Sequence, residues 1–255
     1  MELSNERPVL LIRGLLRNQY HWGDFPKQLS IQLKRRVICL DIPGNGHQYR
    51  EDSPSSISAM RQSLSVQLDG QLPKQQSVDV VAISMGGMIA LEWAQAEPKR
   101  IQSLCLINTS LKQFSPFYQR LNWQCYPLVT VFLFLSKIKK EHMVFKLTSN
   151  INDKYVRQDT INHWLAIAKQ FPVRTVNAFR QLFAAASSPI IKKPQQKCIL
   201  LVSENDQLVS AKCSKAIAQF WSLPILLNDK AGHDMALDDA DFVITALRSW
   251  FDSKC

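Results

Sequence analysis

The chain has 255 residues, 46% of them hydrophobic and 20% charged, a balance that fits a globular protein long enough to bury one large α/β core. Its 8 glycines are about 3% of the chain against a usual ~7%, which excludes collagen-like and glycine-rich low-complexity architectures. The net charge is +10, and the excess is local: Leu111 to Lys197 carries 14 Lys/Arg and 3 Asp/Glu, the remainder 17 and 18.

Val9-Leu-Leu-Ile12 is the first strand candidate, ending at Arg13-Gly14, and a helix is predicted through Trp22 to Lys34. Val37-Ile-Cys-Leu40 is a second short apolar run, closed by Asp41. Ile57, Met60, Leu64 and Leu68 recur at helical spacing. Val78 to Ile83 reads as a third strand, Gly86 to Ala96 as a helix stopped by Pro98, and Ile101 to Ile107 as a fourth strand. The alternation lapses between Leu111 and about Lys193. It resumes with a strand at Cys198–Val202, a helix near Ala211–Trp221, a strand at Ile225–Leu227 and an amphipathic last helix.

Strands alternating with helices predict a mostly parallel sheet covered on both faces. The interrupting segment is helical by pattern. One stripe is Ile161, Trp164, Leu165, Ala168 and Phe171; another is Val176, Phe179, Leu182, Phe183 and Ala186. Both are expected to pack on the sheet domain.

The six cysteines form no CxxC pair and no zinc-type spacing, and Cys39, Cys105 and Cys198 lie inside apolar runs. Reduced thiols in a cytoplasmic protein are the expectation. The N-terminus has no signal-peptide pattern, and the longest apolar run, Leu128 to Leu135, is too short to span a bilayer.

The chemistry centres on Ala82-Ile83-Ser84-Met85-Gly86, at the junction of a strand and a helix. A nucleophilic serine needs a sharp, strained turn there, with small neighbours two residues to either side. Ala82 and Gly86 meet that need, although such a motif alone also fits a helix cap. Two later strand ends supply an acid and a base: Asp206, with Glu204 as its weaker rival, and His233 in a loop before the last helix. His21, His47, His142 and His163 are less apt. The order Ser84, Asp206, His233 is that of a Ser-His-Asp triad on an open α/β sheet, all three at carboxyl ends of strands. Backbone N–H groups of Leu15 and Met85 are placed to hold an oxyanion.

On Arg13-Gly14 with Trp22, the Asp41-x-Pro-Gly-x-Gly46 loop, the Ser84 motif, Glu97-Pro98-x-Arg100-Ile101, Asp206 and Gly232-His233, the chain resembles the α/β-hydrolase superfamily over nearly its whole length. The resemblance implies an eight-stranded, mostly parallel sheet with a helical cap inserted after the strand ending near Asn108. It divides the chain into a core, 1–110 and 194–255, and a basic cap, 111–193. It names Ser84 as nucleophile, His233 as base and Asp206 as its orienter, with no metal or organic cofactor. There are three departures: Arg13 stands where relatives carry His, Ala82 where they carry Gly, and the start of the chain leaves the two leading antiparallel strands reduced or missing.

Within the superfamily the chain looks like small bacterial carboxylesterases, including those that cleave a pimeloyl methyl ester on an acyl carrier protein. That likeness implies a small-molecule or carrier-linked acyl ester as substrate and an acidic acyl carrier protein as partner. Arg120, Lys137, Lys139, Lys140, Lys154, Arg157, Arg174 and Arg180 are the candidate contacts, against the plainer reading of a solvated basic surface. Trp22, Phe132, Phe134, Trp164, Phe179 and Phe183 are candidate pocket walls. A thioesterase or carbon–carbon bond hydrolase would use the same triad, and a binding protein on a hydrolase scaffold would explain Arg13. Leu128 to Leu135 beside Lys137, Lys139 and Lys140 also suits an anionic membrane surface, though buried packing explains the run equally well. Nucleic-acid binding has no supporting motif.

Overall fold

The computed structural model describes residues 7–127, 131 and 135–252. Six strands form one sheet: β1 Val9–Ile12, β2 Val37–Leu40, β3 Val78–Ile83, β4 Ile101–Ile107, β5 Lys197–Ser203 and β6 Ile225–Asn228. Their order is β2-β1-β3-β4-β5-β6, and every pairing is parallel. The central strands β1 and β3 are buried at every position, as a sheet covered on both faces requires. The eight strands implied by the resemblance are six among the described residues.

Helices α1 Phe25–Leu33, α2 Ile57–Asp69 and α3 Met85–Ala96 connect the first four strands. The segment between β4 and β5 holds a helical turn at Phe117–Arg120, then α4 Lys137–Thr148, α5 Lys154–Gln170 and α6 Thr175–Ala186. Then come α7 Ala211–Trp221 and α8 Ala240–Asp252. The first helix starts later than predicted. Asn18 opens a short 3₁₀ turn at Gln19–Trp22, and α1 begins only after Gly23 turns the chain with φ of 54°.

Two cores lie on opposite faces of the sheet. Met60 and Leu64 of α2, Ile89 and Trp93 of α3 and Ile217 of α7 share one with Leu10, Val80 and Leu104. Leu29 of α1 and Val243 and Leu247 of α8 share the other with Leu11, Val81 and Cys105. Among the described residues, no helix is long and apolar enough to cross a membrane.

Of the two helical stripes between β4 and β5, the α5 stripe packs on the sheet domain as expected, Phe171 against Tyr20 and Trp164 against His21, and the α6 stripe does not. Ile161, Trp164 and Phe171 join Phe145 and Ile167 in a small core of their own, touched by Tyr49 and Leu237 of the sheet domain. The α6 stripe faces outward instead, and Asn177, Gln181 and Ala184 are the buried residues of that helix. The reason is a set of amide hydrogen bonds. Gln181 Oε1 accepts from Leu16 N at 2.9 Å, and its Nε2 donates to Asn45 Oδ1 at 2.8 Å and Ser53 Oγ at 2.9 Å. Asn177 Oδ1 accepts from Ser53 N at 3.0 Å, and its Nδ2 donates to the Glu51 carbonyl at 2.9 Å. Two paired amides outweigh the apolar stripe in choosing which face turns inward.

The sheet edge that carries the candidate site depends on close contact between β1 and α3. A Cβ on Gly86 would sit 2.6 Å from the Ile12 carbonyl oxygen and 2.7 Å from that of Arg13, both main-chain atoms. Gly86→Ala should therefore cost about 1–3 kcal/mol by overpacking. Gly70→Ala meets only ordinary contact at 3.4 Å and should lie within about 1 kcal/mol of the parent. Urea unfolding of both variants checks this; equal midpoints would contradict the packing argument.

Candidate active site

Register aligns the carboxyl ends of the strands. Ile12 pairs with Ala82, Ile83 with Ile107 and Ile107 with Leu201, so the residues that follow leave the sheet at one edge. Ser84 is the first of them. Its φ of 58° and ψ of −122° are those of a sharp, strained turn from β3 into α3. The Ile107 carbonyl accepts its N–H at 2.8 Å, and Thr109 Oγ1 donates to its carbonyl at 2.8 Å. Gly14 lies against it, where an added Cβ would come 2.9 Å from Ser84 Cβ. The Arg13-Gly14-Leu15 loop is thereby seated beside the serine. Met85 opens α3, so its N–H is among those a helix leaves without an internal acceptor.

Asp206 and His233 meet by side chain, His233 Nδ1 lying 2.7 Å from Asp206 Oδ2, both groups buried. Asp206 Oδ1 already accepts from Leu208 N at 2.8 Å and Val209 N at 3.0 Å, which fixes the carboxylate plane. With a carboxylate on Nδ1, that nitrogen donates and Nε2 is left with its lone pair. Glu204, the weaker rival, is exposed and pairs with Lys215 at 2.6 Å.

Asn108 ties these parts together. Its φ of 48° lets the chain turn just past β4. Its Nδ2 donates to the His233 carbonyl at 2.9 Å and to Ser203 Oγ at 2.9 Å, and its Oδ1 accepts from Ser203 N at 2.8 Å. Ser84 is bonded to the residues on either side of Asn108, so one tripeptide, 107–109, grips both the serine and the histidine loop. The sequence reading missed this residue. Its signal was a polar Asn-Thr-Ser run directly after an apolar strand. On the far side of the histidine loop, Asp238 accepts from Gly232 N at 2.7 Å.

Arg13 has a partner of its own. Its Nη1 and Nη2 donate to Asp234 Oδ1 and Oδ2 at 2.9 and 2.6 Å, a fully buried two-point ion pair that links the β1 loop to the residue after His233. The guanidinium also lies 4.6 Å from the Trp22 ring centre. Four residues on, Arg17 stacks 4.1 Å from the Trp164 ring and donates to Glu141 of α4 at 3.0 Å. Burial and the nearby Arg17 and Arg13 push the His21 imidazole well below its ordinary range, and its Nδ1 accepts from Asn18 N at 3.2 Å. The β1 loop thus holds two cations and a neutral histidine, balanced by Asp234 and Glu141.

The other expected site residues fall in different places. Trp22 packs on Phe25 under Arg13, and Trp164 is enclosed by Phe145, His21 and Arg17. Phe179 and Phe183 stand on the exposed face of α6, not in an enclosed pocket. Phe132 and Phe134 lie outside the described residues. Arg174 and Arg180 are engaged with Asp52, and Arg120 donates to the Ala185 carbonyl at 2.6 Å. Lys137, Lys139, Lys154 and Arg157 are exposed, and Lys140 is half-buried.

Two outcomes follow for this cluster. Arg13→Ala strands the Asp234 carboxylate in the interior and should cost about 3–5 kcal/mol, whereas Arg13→Met with Asp234→Leu should cost clearly less than either single change. Additive losses in a double-mutant cycle would rule out the coupling. For His21, the unfolded chain takes up a proton below about pH 6.5, where the folded ring stays neutral. Stability is therefore full above that pH and falls on acidification by up to about 1.4 kcal/mol per unit. In His21→Gln, denaturant midpoints between pH 6.5 and 4.5 should lose part of that slope; an unchanged slope would contradict a neutral His21.

A search of curated sequences matches 101 residues at 30% identity to "Putative carbamate hydrolase RutD" of Azorhizobium caulinodans, which is 40% of this chain and 37% of that protein. Among solved structures, a 2-hydroxy-6-oxo-6-phenylhexa-2,4-dienoate hydrolase from Rhodococcus sp. strain RHA1 superposes with a TM-score of 0.78 at 15% identity, over 97% of this chain and 91% of that one. An esterase from Exiguobacterium antarcticum gives 0.76 at 16% identity over 97% and 92%, and a thermophilic esterase from Thermogutta terrifontis 0.75 at 19% over 97% and 90%. At such identities the likeness is one of fold. The profile of the alpha/beta hydrolase fold family matches residues 7–240, and the chain belongs to that family.

Proposed function

We propose that this chain is a serine ester hydrolase acting through an acyl-enzyme on Ser84, with residues 111–193 as the cap over its core. The observation that carries the reading is a serine held at φ of 58° on the strand-to-helix turn and a buried His233–Asp206 pair, with one tripeptide bonded to both the serine and the histidine.

His233 Nε2 takes the proton of Ser84 Oγ as that oxygen attacks the ester carbonyl carbon. The carbonyl electrons move to oxygen, and the N–H groups of Leu15 and Met85 stabilise the oxyanion. Collapse breaks the bond to the alkoxy oxygen, which leaves as the alcohol with the proton from His233. Water then attacks the acyl-enzyme with His233 again as base, releasing the acid and restoring Ser84. Asp206 keeps Nδ1 protonated and stabilises the imidazolium formed in each half-reaction.

Esterases among the structural neighbours and the family's hydrolases support the reaction class. An acyl ester on an acidic carrier protein is supported less well: Arg174, Arg180 and Arg120 spend their guanidinium groups within the chain.

A fluorophosphonate probe should label the parent protein and fail to label Ser84→Ala. Asp206→Asn should lower kcat on a short-chain nitrophenyl ester about 1,000- to 10,000-fold with little change in KM. Equal labelling of parent and Ser84→Ala would overturn the assignment.

A further inference from the structure

Helix α6 is packed inside out. Asn177 and Gln181 are 0% exposed, while Phe179 is 55% and Phe183 62% exposed, with Val176 and Leu182 on the same outer face. The Arg120 hydrogen bond to the Ala185 carbonyl fastens the Phe117–Arg120 turn to the end of this helix. That turn brings a second aromatic group. The Phe117 ring is 70% exposed and lies 5.6 Å from Tyr118 and 6.2 Å from Tyr126; Trp123 of the same stretch is 69% exposed. Outward aromatic rings thus stand on two elements joined by a hydrogen bond, an exposure that water alone does not favour.

The surrounding charge is predominantly positive, and Asp52 beside α6 is taken up by Arg174 and Arg180. No Asp or Glu occurs from Leu111 to Lys140 or from Thr160 to Ser203, the two stretches that carry these rings. Lys112 reaches the Ser187 carbonyl at the end of α6 with Nζ at 3.3 Å, and exposed Lys192 and Lys193 follow a few residues later. Aromatic rings at an apolar face flanked by lysines, with the neighbouring Asp52 already paired to Arg174 and Arg180, match the chemistry of a negatively charged lipid–water interface.

We propose that the outer face of α6 with the 117–126 stretch docks on an anionic lipid surface. The rings enter the headgroup boundary while the lysines meet lipid phosphates. A second copy of the chain fits less well, since a symmetric contact would bring two cationic faces together. An acidic protein would engage the lysines and leave most of the rings in water. The inference stands apart from the hydrolytic reading, because the surface uses neither Ser84 nor His233.

The test is co-sedimentation of Ser84→Ala protein with sucrose-loaded vesicles at low salt. One set is phosphatidylcholine alone, the other about one-quarter phosphatidylglycerol. Binding should be about tenfold or more stronger to the anionic set and should fall in high salt. Phe179→Ser/Phe183→Ser and, separately, Phe117→Ser/Trp123→Ser should each weaken it several-fold. Lys112→Gln/Lys192→Gln/Lys193→Gln should remove the anionic preference. Thermal melts verify that the variants fold, which their exposed positions favour. The proposal is overturned by failure to sediment with anionic vesicles at low salt, or by ring variants that bind like the parent. It is equally overturned if those variants abolish a concentration-dependent dimer seen by ultracentrifugation while no vesicle binds. Persistent ester turnover by Ser84→Ala with intact vesicle binding would remove the hydrolytic reading and leave this one standing.

Discussion

Ser84 sits in a backbone conformation that a non-glycine residue adopts at a cost of about 1–3 kcal/mol, and its neighbours serve to hold it there. The Ile107 carbonyl and the Thr109 hydroxyl fasten its peptide groups from the β4 side. Gly14 and Gly86 let the β1 main chain approach from the other side, closer than any side chain would allow. The order β1-β3-β4 at the centre of the sheet is what makes this double grip available, since both neighbours of β3 end beside the turn. The scarcity of glycine in the chain has its counterpart here: two of the few are spent on this approach.

The histidine loop is held in a related way, by groups distant in sequence. Asn108 grips its main chain from β4, Asp206 its imidazole from beyond β5, Asp238 the preceding glycine and Arg13 the following aspartate. Arg13, which stands where relatives carry His, thus supplies one of these tethers itself. A buried two-point ion pair is rigid only while both partners remain, so positions 13 and 234 are constrained jointly.

The sheet was legible because its strands are short apolar runs bounded by Gly, Pro or charge, and such runs have few other uses. Ser84, Asp206 and His233 could be singled out as candidates because open α/β sheets gather their sites at strand ends, so each could be placed from its own neighbours alone. Arg13 and Asp234 are 221 positions apart, and Gln181 and Asn45 are 136 apart. Nothing local announces such pairs. The α6 stripe was misassigned for that reason. Periodicity marks an apolar face, but two amides with buried partners decided which face turned in.

The seam beneath α6 has a thermal signature unlike that of the rest of the molecule. The sheet cores are held by apolar burial, which weakens on cooling and carries a large positive heat capacity on opening. The seam joins amides, hydroxyls and main-chain groups, whose exposure lowers heat capacity. As temperature falls toward freezing, the grip on α6 keeps its strength while the cores relax. Cooling therefore weakens the grip on this helix proportionately less than it weakens the sheet cores.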